Sequence, residues 1–335
     1  MGKILVTGGL GFIGSHTVVE LQQEGFEVLI VDDLSNSRIE VLDGITQITG
    51  IKPDFEQFDL KDKAKVFDLF QQYDIQGAIH FAASKAVGES VHEPLKYYEN
   101  NNGTLINLLS AFKEFGRDNF LFSSSCTVYG QADELPITEN APFKPAESPY
   151  GRTKQICEYI LEDYTKAYQK NVISLRYFNP IGAHPSTKIG ELPNGVPDNL
   201  IPYVTQTAAG IRQCLSVFGD DYETRDGTCI RDYIYVVDLA KAHVKGLKIL
   251  MEKRNQKPYE VFNLGTGTGS TVLEVVHAFE KSTGEKLNYT IAPRRAGDIV
   301  AAYADTQKAE KELGWKAETS LEESLRTAWE WQKQL

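Results

Sequence analysis

Short apolar runs alternate with longer stretches whose apolar residues recur at helical spacing, from the first residues to about position 180. Ile4-Leu5-Val6, Phe26 to Val31, Phe55 to Phe58, Ala78 to Ala83, Phe120 to Ser125 and Val172 to Arg176 are too short for stable helices and predict strands. Between them, the stretch opening at Ser15, an amphipathic segment reaching Ile48, Ala64 to Tyr73, Pro94 to Phe115 and Pro149 to about Tyr168 predict helices. Near-continuous apolar strands alternating with helices are the mark of a parallel sheet covered on both faces. The expected fold class is α/β, a Rossmann-type doubly wound parallel sheet with right-handed crossovers. The cluster Asn100-Asn101-Asn102-Gly103 lowers propensity inside its helix and predicts a local hydrogen-bonding partner.

Beyond Phe178-Asn179-Pro180 the texture changes. Gly182 to Asn199 is rich in glycine, proline and polar residues. Leu200 to Ile211, Val236 to Met251, Thr271 to Glu280 and Glu322 to Trp331 predict helices, and Val261 to Asn263 a short strand. The expected organisation is a nucleotide-binding domain over 1–180, to which later segments can return, and a smaller mixed C-terminal substrate-binding lobe over 181–335.

Chemistry enters first at Thr7-Gly8-Gly9-Leu10-Gly11-Phe12-Ile13-Gly14, where a strand meets a glycine turn and a helix begins. Gly8 and Gly11 allow the backbone to turn and to approach a pyrophosphate, and Gly14 allows the helix to pack closely on its strand. The first helical amides then form an anion site. The next strand ends in Asp32, where a carboxylate accepts hydrogen bonds from an adenosine ribose. Asp33 beside it disfavours a further phosphate there, so NAD is expected rather than NADP.

The net charge of -11 argues against nonspecific binding to nucleic acid or acidic membranes, while leaving room for a local basic pocket. Cys126, Cys157, Cys214 and Cys229 have no short paired spacing and suit a reducing cytoplasm. Neither they nor the six histidines suggest a metal site, and His80, inside an apolar run, reads as a satisfied core residue. The first strand begins close to Met1 and no apolar run is long enough to cross a bilayer, so a cytoplasmic protein is expected.

Tyr150 and Lys154 are four residues apart and share a helix face. A tyrosine starts near pKa ~10, and a neighbouring ammonium together with a nicotinamide cation lowers that value, making the phenol an acid–base group. Ser125 reaches the carboxyl end of its strand, where it can hydrogen-bond a reacting sugar oxygen.

These residues resemble the UDP-glucose 4-epimerase family, extended short-chain dehydrogenases/reductases that interconvert UDP-galactose and UDP-glucose. The glycine turn, His80-Phe81-Ala82-Ala83, Lys85-Ala86-Val87-Gly88-Glu89-Ser90, Ser123-Ser124-Ser125-Cys126-Thr127-Val128-Tyr129-Gly130, Tyr150 with Lys154, Arg176-Tyr177-Phe178-Asn179-Pro180 and Arg231-Asp232-Tyr233 carry the likeness over nearly the full length. The resemblance implies a tightly bound NAD+ reduced and reoxidised within one turnover, a 4-keto sugar that rotates about its link to the diphosphate, and a homodimer. It implies Tyr150 as base and then acid, Lys154 on the nicotinamide ribose, and Ser125 assisting. On the cofactor side it implies Gly8, Gly11, Phe12, Ile13, Gly14, Asp32, Asp33, Asn36, Ser37, Asp59 and Leu60. Nearer the nicotinamide it adds Phe81, Ala82, Ala83, Lys85, Asn100, Tyr177 and Phe178. For the UDP-hexose it implies Asn179, Asn199, Leu200, Phe218, Arg231, Arg295 and Asp298, with Lys85, Ser125 and Tyr150 reaching the sugar. Arg294 stands beside Arg295, which leaves the phosphate contact open between the two. Ala302 matches a place where narrow-specificity bacterial relatives carry tyrosine, so N-acetylated UDP-GlcNAc and UDP-GalNAc are expected to be admitted.

Two alternatives share the fold. A nucleotide-sugar 4,6-dehydratase needs an acid–base pair after Ser125, where this chain has Cys126 and Thr127, neither a carboxylate. A noncatalytic NAD-responsive binding protein has no need to retain Tyr150, Lys154 and Ser125.

Overall fold

The structure is a computed structural model that describes residues 2–295 and 298–335. β1 (Lys3–Thr7) leads into α1 (Phe12–Gln23), followed by β2 (Val28–Asp32), α2 (Val41–Thr49), β3 (Asp54–Gln57), α3 (Lys63–Gln72) and β4 (Ile75–His80). Two short helices, α4 (Val87–His92) and α5 (Pro94–Tyr97), precede a π turn (Tyr98–Asn102) and α6 (Gly103–Glu114). Then come β5 (Phe120–Ser125), a 3-10 turn (Cys126–Tyr129), α7 (Pro149–Tyr168) and β6 (Val172–Tyr177). The second half contains β7 (Asn179–Ile181), α8 (Leu200–Ala208), β8 (Leu215–Phe218), β9 (Ile230–Arg231), β10 (Tyr233–Tyr235) and α9 (Val236–Met251). It closes with β11 (Tyr259–Leu264), β12 (Ser270–Thr271), α10 (Val272–Thr283), β13 (Tyr289–Ala292), β14 (Ala301–Ala302) and α11 (Leu321–Gln332).

Seven parallel strands form the main sheet in the order β11-β6-β5-β4-β1-β2-β3. Strand side chains alternate between two cores. Ile4, Val6, Ile30, Ile79, Leu121 and Ile173 pack with α1, α2 and α9, whereas Leu5, Leu29, Ala78, Phe120 and Phe122 pack with α3, α6 and α7. The order reverses between β1 and β4, and a reversal of this kind opens a ligand crevice at the carboxyl ends of the strands. A third core, with Ile181, Val204, Val217, Phe279 and Trp329, holds the smaller lobe together. Its strands pair as β7 with β10, β8 with β13, and β9 between β12 and β14.

The expected doubly wound sheet is present, and β11, from the second half of the chain, returns to it as the edge strand beside β6. The helix expected over Pro94 to Phe115 is there but contains the π turn at its asparagine cluster. The polar cluster finds its partners in Ser84 and Thr153: the Asn101 side chain accepts from Ser84 N at 2.8 Å and donates to Ser84 O and Thr153 Oγ1 at 3.0 Å each. The strand expected over Ala78 to Ala83 ends at His80, and Phe81 to Ala83 leave the sheet at the crevice. β2 starts at Val28 because Phe26 still closes α1, its amide donating to Leu21 O at 3.0 Å.

His80 is a satisfied core residue, with Nδ1 2.7 Å from Thr7 Oγ1. His16 and His243 are also buried and donate through Nδ1 to the carbonyls of Phe12 and Leu239. Burial pushes His16 and His80 down to about 3 and His243 to about 4. Neutral imidazole is therefore favoured by folding, and its contribution is complete above the unfolded value near 6.5 and lost as pH falls toward 4 and 3. Urea unfolding between pH 7 and 5 should show stability falling by about 1.4 kcal/mol per pH unit per histidine below ~6.5. His243→Asn should flatten that slope by one such increment, measured at equal dinucleotide content.

Candidate active site

The crevice is built first by close backbone approach. Gly8 has φ +66°, and a Cβ there would stand 2.8 Å from Ala82 N. At Gly14 a Cβ would stand 2.2 Å from the Gly8 carbonyl oxygen. The turn itself, rather than packing of helix on strand, is thus what requires glycine at position 14. No described side chain caps Gly11, so the amides of the first turn of α1, opening with Phe12 and Ile13, face the crevice unclaimed by a cap.

Asp32, at the end of β2, ties this turn to the next loop. Its Oδ2 accepts from Leu10 N at 3.1 Å, and Oδ1 accepts from Leu34 N at 3.0 Å and Ser37 Oγ at 2.7 Å. Asp33 is exposed and accepts from Ser35, while exposed Asn36 accepts from Asn194 Nδ2 at 3.4 Å. Asp59 accepts from Lys61 N at 2.8 Å, and Leu60 is buried, its carbonyl taking Asn107 Nδ2. Asp32 ends β2, and Asp59 and Leu60 follow β3, so these groups gather at neighbouring strand ends. The cradle that a Cβ would fill and the carboxylate beside it fit NAD.

On the other side, the Ser148 hydroxyl accepts from Gly151 N and sets the start of α7, which puts Tyr150 in its first turn. Lys154, buried one turn later, donates to the Ser123 carbonyl at 2.6 Å and lies 4.8 Å from the Phe122 ring centre and 5.9 Å from that of Tyr150. The expected lowering of the Tyr150 pKa by Lys154 is not found. Burial pushes the phenol up to about 12 against the opposing hydrogen bond with Ser125, and burial pushes the Lys154 ammonium down to about 8. Ser125 also accepts from Thr127 N at 3.3 Å, capping the 3-10 turn. Asn100 donates to Ser84 Oγ at 3.3 Å. Tyr177 and Phe178 are buried, Tyr177 bonded to the Ser123 hydroxyl. Phe81, Ala82 and Ala83 are half-buried, and Lys85 is exposed, 3.7 Å from Glu191.

The lobe brings the remaining groups together. Arg231 on β9 is the register partner of Ala302 on β14, and donates through Nη1 to the carbonyls of Ile230 and Ile299. Asp298 stands 3.7 Å from Arg231 and 2.8 Å from Arg295, whose guanidinium lies 5.6 Å from the Phe218 ring centre. Arg294 instead pairs with Asp221 and lies over Tyr222, so Arg295 is the arginine that shares a cluster with Arg231. Asn179 donates its amide to the Asp232 carbonyl at 2.9 Å. Asn199, next to Leu200 at the start of α8, donates to Glu191 at 2.8 Å. Ala302 is buried beside Phe178, Val128 and Ile137.

Two organising residues were given no role by the sequence reading. Asp232 accepts from Thr266 N and Oγ1, Gly267 N and Ala304 N, and so joins three segments beneath Arg231. Its place after Arg231 was the available signal. Glu191 joins Lys85 to Asn199 from a glycine- and proline-rich loop, where nothing in the pattern singled it out.

A protein-family model described as GDP-mannose 4,6 dehydratase matches residues 5–328, which agrees with the class that fold and site define, the extended short-chain dehydrogenases/reductases that act on nucleotide sugars. Individual relatives narrow the class. UDP-glucose 4-epimerase of Bacillus subtilis (strain 168) is 52% identical over 98% of this chain and 96% of that protein. The UDP-glucose 4-epimerase structure from Stenotrophomonas maltophila, with bound NAD and formylated UDP-arabinopyranose, is 47% identical with a TM-score of 0.96, covering 100% of this chain and 98% of that one. That from Bifidobacterium longum, in complex with NAD+ and UDP, is 46% identical with a TM-score of 0.95, covering 99% and 98%. The chain belongs to the UDP-glucose 4-epimerase family.

Because Asp32 fastens the turn with its own hydrogen bonds, Asp32→Ala should destabilise the fold by about 1–3 kcal/mol through three orphaned donors. Urea unfolding of protein stripped of dinucleotide should show the loss, separating it from any change in cofactor affinity.

Proposed function

We propose that this protein reversibly interconverts UDP-galactose and UDP-glucose at C4, with bound NAD+, through the residues assembled around Tyr150. The observation that carries the reading is the gathering of Tyr150, Ser125 and Lys154 at the end of β5, in a sheet whose β1 and β2 end in Gly8 and Asp32 and which is followed by a lobe holding Arg231 and Arg295 around Asp298. NAD+ supplies the two-electron chemistry that oxidises carbon four and then reduces it again. Gly8, Phe12, Ile13 and Asp32 hold the cofactor's phosphates and adenosine, and Lys154 holds the nicotinamide ribose. Tyr150 takes the proton of the C4 hydroxyl and later returns it, Ser125 bonding the same oxygen. A phenol at about 12 keeps its proton at neutral pH, so the cationic surroundings of the loaded site must bring it down before it serves as base. Arg231 and Arg295 grip the diphosphate with charge-assisted bonds, leaving the sugar free to turn.

The small side chain of Ala302, packed beside Phe178, supports activity on UDP-GalNAc and UDP-GlcNAc. The domain reading assigns 1–180 to cofactor binding, with α9 and β11 returned to it, and the rest of 181–335 to the UDP-sugar. Exposed Val91, Leu95, Ile106 and Tyr159 on α4 to α7 support a homodimer formed through these helices. Four free cysteines suit the cytoplasm, and no helix among the described residues is long and apolar enough to cross a membrane.

The family model's description raises dehydration as the second reading. Burial pushes the Cys126 thiol up to about 12, and Thr127 follows it, so the position lacks the acid and base that elimination needs.

Purified protein with no added cofactor should convert UDP-galactose to UDP-glucose; a 4-keto-6-deoxy product would favour dehydration instead. Tyr150→Phe, folded and holding NAD, should lose about 10²–10⁴-fold in kcat. Undiminished turnover would remove Tyr150 from the proton-transfer role. In a parallel assay Ala302→Tyr should abolish turnover of UDP-GalNAc and spare UDP-galactose, and equal loss of both, or a parent inactive on UDP-GalNAc, rejects the pocket argument.

A further inference from the structure

Three consecutive serines end β5, and α7 engages each from a different turn. Lys154 donates to the Ser123 carbonyl at 2.6 Å, the Glu158 carboxylate accepts from the Ser124 hydroxyl, and Ser125 offsets part of the rise that burial gives the Tyr150 phenol. Residues 150, 154 and 158 stand on one helix face at intervals of about 6 Å. The Glu158 contact is anchored furthest into the sheet. Arg176 on β6, register partner of Ser124, forks onto the carboxylate at 2.9 Å from Nε and 2.6 Å from Nη2. Tyr259 on β11 donates to Glu158 Oε2 at 3.0 Å, and Arg176 Nη1 donates to the Tyr129 hydroxyl at 2.8 Å. Glu158 and Arg176 are 3% and 5% exposed, so the pair works in a low-dielectric setting where geometry is tightly enforced.

Stability alone gives little reason for such a pair, because apolar side chains of similar volume often replace one without loss. A planar guanidinium fork on a carboxylate supplies direction instead. We infer that Glu158, gripped by Arg176, is the positioning residue that sets the height and rotation of α7 against the ends of β5 and β6, and thereby places the Tyr150 hydroxyl beside Ser125. Glu158 stands two turns, about 12 Å along the axis, from Tyr150 and acts through the helix rather than on the sugar. The inference rests on the acid–base role given to Tyr150 above.

Glu158→Gln keeps side-chain volume and an acceptor for Ser124 but breaks the charged fork. Kinetics of the holoenzyme should show kcat for UDP-galactose reduced about ten- to a hundredfold, the effect of a small misplacement, with KM within about twofold and normal bound dinucleotide. The paired variant Glu158→Leu/Arg176→Met removes both charges; its thermal midpoint should return toward the parent while kcat does not. Ser124→Ala leaves the ion pair intact and should lower kcat by a smaller factor at unchanged thermal midpoint, and it carries the test if Glu158→Gln does not fold. Unchanged kcat in folded Glu158→Gln, unchanged kcat in Ser124→Ala, or kcat that recovers together with the thermal midpoint in the paired variant overturns the inference. The parent and Tyr150→Phe are run alongside: a parent that turns over while Tyr150→Phe does not leaves the epimerase reading standing whatever Glu158→Gln does, and an inactive parent strikes both.

Discussion

A sheet buried on both faces leaves polar chemistry only its ends. Ile4, Val6 and Ile30 fill one core while Leu5 and Leu29 fill the other, so no residue within these strands can turn a polar group toward a ligand without opening a core. The candidate site residues accordingly sit where strands stop: Gly8 after β1, Asp32 at the end of β2, Phe81 after β4, Ser125 at the end of β5 and Tyr177 at the end of β6. Reversal of strand order between β1 and β4 brings these ends around one crevice, and α7 delivers Tyr150 and Lys154 to it from the side.

Much of this frame was legible because the elements that build it are long or chemically unusual. Pro149 to Tyr168 begins with a serine cap and a proline, which define a helix start from local chemistry alone. The glycines at 8 and 14 are legible for the same reason, although the atom that forbids a side chain at 14 is a carbonyl of the turn, a contact that spacing does not encode. Strands such as β9, β12 and β14, two residues each, are too short to show alternation, and α4 is masked by Gly88 and Ser90, poor helix formers. They exist because tertiary partners supply their hydrogen bonds.

The candidate site divides in the same way. Tyr150, Lys154 and Ser125 were visible from spacing and strand ends, but the direction of the Tyr150 shift was not, since burial is a property of the assembled structure. Arg294 and Arg295 are a single peptide step apart, and only their partners tell them apart: Asp221, distant in sequence, takes Arg294, while Asp298, one turn on, holds Arg295 and Arg231 together. Asp232 and Glu191 organise the lobe and the connecting loop through bonds that link segments dozens of residues apart. No local pattern carries such information.

The placing of Asp298 between two arginines also shapes how an anion reaches them. Within this trio one negative group offsets one of two positive groups, and the molecule as a whole carries -11. Any anion near this trio therefore feels little far-reaching pull, and attraction becomes appreciable only within about a Debye length, ~8 Å at physiological salt. Discrimination among anions at such a trio comes from fit at short range, because charge alone favours none of them from afar.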